Sequence, residues 1–160
     1  MTKEEIYKKL ETLKTDEGKF SYLKEISKKA GILSSETKKA LYETLGDYAL
    51  ATNHINEATK AYEKAGSKEG FIKIGDKWFE RGELDDAIEL YEKAGYKEGL
   101  IKVGDKLVEK GELDRAVKAY EKAGLSSGTK AEMEKLADAY EKANMGKKAM
   151  KLRKKIKQMS

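Results

Sequence analysis

Asp47, Asp76, Asp105 and Asp138 have the strongest claim on chemistry in this chain. The same acid recurs four times, directly after Gly46, Gly75, Gly104 and Ala137. A row of carboxylates can attract a basic segment, or serve as acid and base where two converge. Nothing else completes a catalytic set. There is no cysteine, which removes thiolate nucleophiles, thiolate metal sites and disulfides together. His54 is the single imidazole, so no histidine pair can form, and Asn53-His54 reads as a solvated turn. The Gly-Asp-Lys triplets lack the G-x-x-x-x-G-K-[ST] pattern of a phosphate loop. Gly46, Gly75 and Gly104 read instead as small residues packed between helices. The expectation is a non-enzymatic protein with no catalytic residue, no metal site and no cofactor.

The elements that position these acids repeat. The stretch from Gly75 to Gly95 returns as Gly104 to Gly124 with two thirds of its positions identical, and a looser copy starts at Gly46. A fixed period of this size means one supersecondary unit stacked several times. Capping residues, glycine stops and apolar spacing predict ten helices, near 2–13, 16–30, 35–52, 55–65, 68–81, 84–94, 97–110, 113–123, 130–143 and 146–158. Positions 125–128 read as a loop. Phe71, Ile74, Trp78 and Phe79 are expected to meet Leu84, Ala87, Ile88 and Tyr91. The complete absence of proline suits so helical a chain.

Charged residues make up 39% and mean hydropathy is −0.78, yet another 39% is hydrophobic and regularly spaced, enough for a core. One Gln, three Asn and no Cys beside abundant Lys and Glu resemble the composition of proteins from hot environments. No apolar run reaches the length of a membrane span, and the first residues lack a signal-peptide core. A soluble, cytoplasmic protein is expected. The net charge of +5 is unevenly placed: from Lys142 onward there are eight basic residues and no acid, so the preceding part is mildly acidic.

Ile74-Gly75 with Trp78 and Ala87-x3-Tyr91 resembles the tetratricopeptide (TPR) pattern, as do Leu45-Gly46 with Ala58-x3-Tyr62 and Val103-Gly104 with Ala116-x3-Tyr120. Leu136-Ala137, Tyr140 and Ala149 fit more loosely, because Arg153 replaces the aromatic. The resemblance implies a single all-α domain over 1–160, a right-handed solenoid of about five antiparallel helical hairpins. It comprises a capping hairpin at 1–33, repeats at 35–66, 67–95 and 96–124, and a C-terminal repeat at 129–160. The period, 29 positions from Gly75 to Gly104, is shorter than the family's, and all of the shortening falls between hairpins.

The resemblance also implies a concave groove lined by the first helix of each pair and used to bind a protein or peptide. Its acids would be Asp47, Asp76, Asp105 and Asp138, with Glu69 and Glu98 two turns earlier in the central units. Ile72, Phe79, Ile101 and Val108 would add apolar contact. The expected partner segment is basic or amphipathic, unless the aspartates merely pair with Lys73, Lys77, Lys102 and Lys106. Replacing Asp76 and Asp105 by Asn is then expected to weaken a partner without shifting melting. The alternative surface is the last helix, with Lys147, Lys148, Lys151, Arg153, Lys154, Lys155 and Lys157, which would serve nucleic acid or an anionic membrane surface. Its seam of Met145, Ala149, Leu152, Ile156 and Met159 suggests a cap, and Met145, Met150 and Met159 read as core filling. A poorly capped end would permit a homodimer.

Overall fold

The computed structural model describes residues 1–159; Ser160, the end of the unit expected at 129–160, lies outside them. All regular structure among the described residues is helical. The helices are α1 (Lys3–Glu11), α2 (Asp16–Ser27), α3 (Ser35–Ala51), α4 (Ile55–Ala65), α5 (Lys68–Arg81), α6 (Leu84–Ala94), α7 (Lys97–Glu109), α8 (Leu113–Lys122), α9 (Lys130–Lys142) and α10 (Gly146–Lys157). They fall into two compact units, Met1–Ile74 and Gly75–Ser160, with the division inside α5.

Local chemistry sets the helix ends. Thr2 and Glu5 form the reciprocal capping box that opens α1, and Thr129 with Glu132 does the same for α9. Thr15 and Ser34 cap α2 and α3 through their hydroxyls. Within hairpins, one left-handed residue turns the chain at equivalent places: Asn53 (φ 62°), Gly82 (φ 81°), Gly111 (φ 74°) and Asn144 (φ 58°). Asparagine tolerates that conformation better than most residues other than glycine, so both types can occupy one register.

In the first unit α3 packs on α2 and α4, around Leu23, Leu41, Ala49, Ala58 and Tyr62, each no more than 2% exposed. Helix α2 stops at Ser27, short of the expected position 30. The chain then tightens into a 3₁₀ turn, Ala30–Ile32, which buries Ala30 and Leu33 and leaves Ile32 exposed. Phe71, near the start of α5, is only half-buried.

In the second unit α7 packs on α6 and α8, and α9 on α8 and α10. Tyr91, Val103, Leu107, Ala116 and Leu136 form its core. Positions 125–128 are not a plain loop: Leu125–Ser127 is a 3₁₀ turn with Leu125 fully buried. Trp78 and Phe79 are half-buried, with the Arg81 guanidinium 5.3 Å from the centre of the Trp78 ring. Ala149, Leu152 and Ile156 are buried as a seam, whereas Met150 and Met159 are exposed and fill no core. Met150 lies one position past the seam residue Ala149, about 100° around the helix, which turns it to water.

Candidate interaction face

Tyr62 in the first unit, and Tyr91 and Tyr120 in the second, each hold the recurring aspartate of the preceding helix. Each ring is almost wholly buried, with 2% exposure or less, and lies against a glycine of the preceding helix. A Cβ at Gly46 would come within 2.5 Å of Tyr62, one at Gly75 within 2.6 Å of Tyr91, and one at Gly104 closer still to Tyr120. No side chain fits there, which is why the small residue recurs.

The following helix adds a second glycine to two of these rings. Gly70 abuts Tyr62, and a Cβ at Gly99 would meet Tyr91 at 2.7 Å. Two tyrosines are therefore pressed between glycines. Gly70 and Gly99 are themselves one repeat apart and sit where the short joint draws the next helix in. The junction after Tyr120 is longer and contains the buried Leu125.

The phenol emerges from this packing at the aspartate of the preceding helix. Tyr62 donates to Asp47 Oδ1 at 2.7 Å, Tyr91 to Asp76 Oδ1 at 2.6 Å and Tyr120 to Asp105 Oδ1 at 2.5 Å, always across the same sequence interval. Lys73 adds a bond to Asp47 at 2.8 Å, and Lys135 one to Asp105 at 2.6 Å. The hairpin of α9 and α10 keeps that interval with another donor: Arg153 reaches Asp138 at 2.7 Å and also grips Glu141. A parallel clasp joins Tyr140 to Glu121 at 2.7 Å, with Lys148 on the same carboxylate at 3.1 Å.

These bonds revise the reading of an open acidic stripe. Asp47, Asp76, Asp105 and Asp138 are all engaged as hydrogen-bond acceptors, mostly by phenols rather than by the expected lysines. Lys77 and Lys106 turn to Glu80 and Glu109, and the Lys102 ammonium lies 4.5 Å from the centre of the Phe79 ring. Changing Asp76 and Asp105 together would therefore disturb stability, contrary to expectation. In the first unit, Glu69 pairs with Lys73 at 3.5 Å, and Ile72 is half-buried. In the second unit Phe79, Ile101 and Val108 are half-buried, while Glu98 is exposed and makes no ion pair among the described residues.

The basic last helix is revised in part. Arg153 is bound to Asp138 and Glu141, and Lys148 to Glu121, so neither is a spare surface charge. Lys155 donates to the Ser126 carbonyl at 2.9 Å. Lys147, Lys151, Lys154 and Lys157 are exposed. His54 is half-buried rather than solvated: it stacks on Phe20 with ring centres 4.6 Å apart, and its Nδ1 lies 2.9 Å from the Thr52 hydroxyl.

Burial, and then the hydrogen bond to a carboxylate, raises the pKa of Tyr62, Tyr91, Tyr120 and Tyr140 above the ordinary phenol value. Because the folded value is the higher one, this stabilisation is complete below about pH 10 and is lost as pH climbs beyond it. A titration followed by absorbance of phenolate and by circular dichroism should show that the last phenols to ionise do so together with the loss of helicity. These four should ionise only as helicity disappears. A single step near pH 10 without unfolding would contradict the clasp.

Helices in hairpins, with Gly, Asp and Tyr returning in register, define an all-α protein built of repeated helical hairpins. Among solved structures, the chain is similar to MamA, at 24% identity over 89% of this chain and 87% of that one, with a TM-score of 0.45. A second MamA structure gives 25% identity over 88% and 80%, with a TM-score of 0.44. A Podosopora anserina protein described as a kinesin light chain with nearly identical TPR-like repeats gives 14% identity over 98% and 91%, with a TM-score of 0.41. No family model and no curated protein matches the chain.

Proposed function

We propose that this chain is a non-enzymatic protein-interaction module that holds an amphipathic, basic segment of a protein partner. The segment lies on the face of the second unit that carries Phe79, Ile101 and Val108. One observation supports this most: Phe79, Ile101 and Val108 stay half-buried there, and Glu98, one turn before Ile101, has no ion pair of its own among the described residues. Ile101 and Val108 are two helical turns apart on α7, so they share one side of that helix with Glu98 and Asp105. Apolar anchors at helical spacing flanked by an uncommitted carboxylate suit a partner helix with a basic edge. The clasped aspartates keep the backbone of this face rigid, which lowers the ordering cost of binding.

No helix among the described residues is long and apolar enough to cross a membrane. The test is photo-crosslinking in the source cell with benzoylphenylalanine placed at Ile101, using the exposed Lys118 of α8 as the control position. A discrete adduct from position 101, diminished by Glu98→Lys, is the expected result. Adducts of equal yield from both positions, or none from 101, would contradict the proposal.

A further inference from the structure

A cleft lies in this unit where the Leu125–Ser127 turn faces α10. Its volume is about 690 Å³, within the range of small-ligand clefts (about 300–1,000 Å³). Ser126 and Ser127 line one side, and Lys151, Lys154, Lys155 and Gln158 line the other. We propose that this cleft binds a small, multiply phosphorylated ligand.

The geometry comes first. Leu125 is fully buried and anchors the turn, while Lys155 donates to the Ser126 carbonyl at 2.9 Å and ties the turn to the helix. The turn is therefore fixed against α10 by packing and by one hydrogen bond. Lys148, on its rim, is committed to Glu121, which also accepts the Tyr140 phenol. Lys151 and Lys154 are exposed and make no ion pair among the described residues.

The charge density then selects the ligand. No carboxylate lines the cleft, so several ammonium groups share one small volume with hydroxyl and amide donors. A phosphate brings about 1.5–2 negative charges and three acceptor oxygens in one group, and lysine meets it as a point charge. An extended acidic peptide carries at most one charge per roughly 3.3 Å of chain, which is sparser. A membrane surface fits poorly, because the apolar seam Ala149, Leu152 and Ile156 is buried, and the exposed Met150 and Met159 are single side chains nine positions apart rather than an apolar face. For single-stranded nucleic acid, the one ring in the lining, Tyr140, is only 7% exposed and cannot stack a base.

The test is calorimetric titration of the full chain with inorganic tripolyphosphate at low salt. Saturable binding of one ligand per chain is expected, weakened at least about tenfold in Lys151→Ala/Lys154→Ala and also in Lys154→Glu. Lys118→Ala should leave it unchanged, and circular dichroism would confirm that each variant folds. Absence of saturable binding would overturn the proposal, as would equal weakening in Lys118→Ala. Tighter binding of duplex DNA, an acidic peptide or phosphatidylserine vesicles than of tripolyphosphate would overturn it too. Crosslinking at Ile101 reports on a different surface, so either result leaves the other standing.

Discussion

Tyr91→Ala is expected to destabilise the protein by about 3–5 kcal/mol, in the range for removing a large buried ring. Tyr91→Phe should cost only about 0.5–1.5 kcal/mol, the worth of the hydrogen bond to Asp76. The difference arises because the Tyr91 ring, fully buried, is shared by Gly75 on one helix and Gly99 on the next. Truncation leaves a void between two glycines, and neither has a side chain to close it. Denaturant titration of the three proteins checks this. Equal costs for Ala and Phe would mean that the ring contributes nothing beyond its hydroxyl.

The second large effect concerns the glycines themselves. Gly75→Val places a branched side chain where even a Cβ would sit 2.6 Å from the Tyr91 ring, so a loss of about 1–3 kcal/mol or more is expected. Helix propensity alone would favour the substitution, since glycine is the poorest helix former after proline. Packing should win here because the clash is with a ring that cannot move without breaking its bond to Asp76. Gly146→Ala, at the open start of α10, is the control: nothing lies within 4 Å, and propensity should make it neutral or slightly stabilising. Thermal melting of both variants measures the contrast. A Gly75→Val protein as stable as the parent would show that α5 and α6 are not in the close contact described.

Much of this architecture is legible in the residues. Recurring Gly, Ala and Tyr mark the hairpins, and Thr2 and Gly66 mark helix ends, because each does a local job that depends on few neighbours. The clasp escapes a reading of the sequence, although its signal is present. Asp47 and Tyr62, Asp76 and Tyr91, and Asp105 and Tyr120 stand at one constant interval, which Asp138 and Arg153 share. Reading aspartate as a water-facing residue and tyrosine as a core residue assigns them to different regions. The phenol joins those regions, because its ring is buried while its oxygen reaches the edge. Gly70 and Gly99 escape for a similar reason: only the closeness of the next helix, set by the short joint, reveals what they accommodate. His54 and Met150 depart from expectation because one neighbouring ring, or one step of helical phase, decides exposure.

The central claim is that each repeated aspartate belongs first to its hairpin, as the acceptor of a donor from the second helix, and only second to any partner. A double-mutant cycle on Asp76→Ala and Tyr91→Phe isolates that bond, since propensity and solvation changes cancel between the single and double variants. The account predicts a coupling of about 1 kcal/mol between the two positions. Additive losses, with coupling indistinguishable from zero, would contradict it and return Asp76 to the open face.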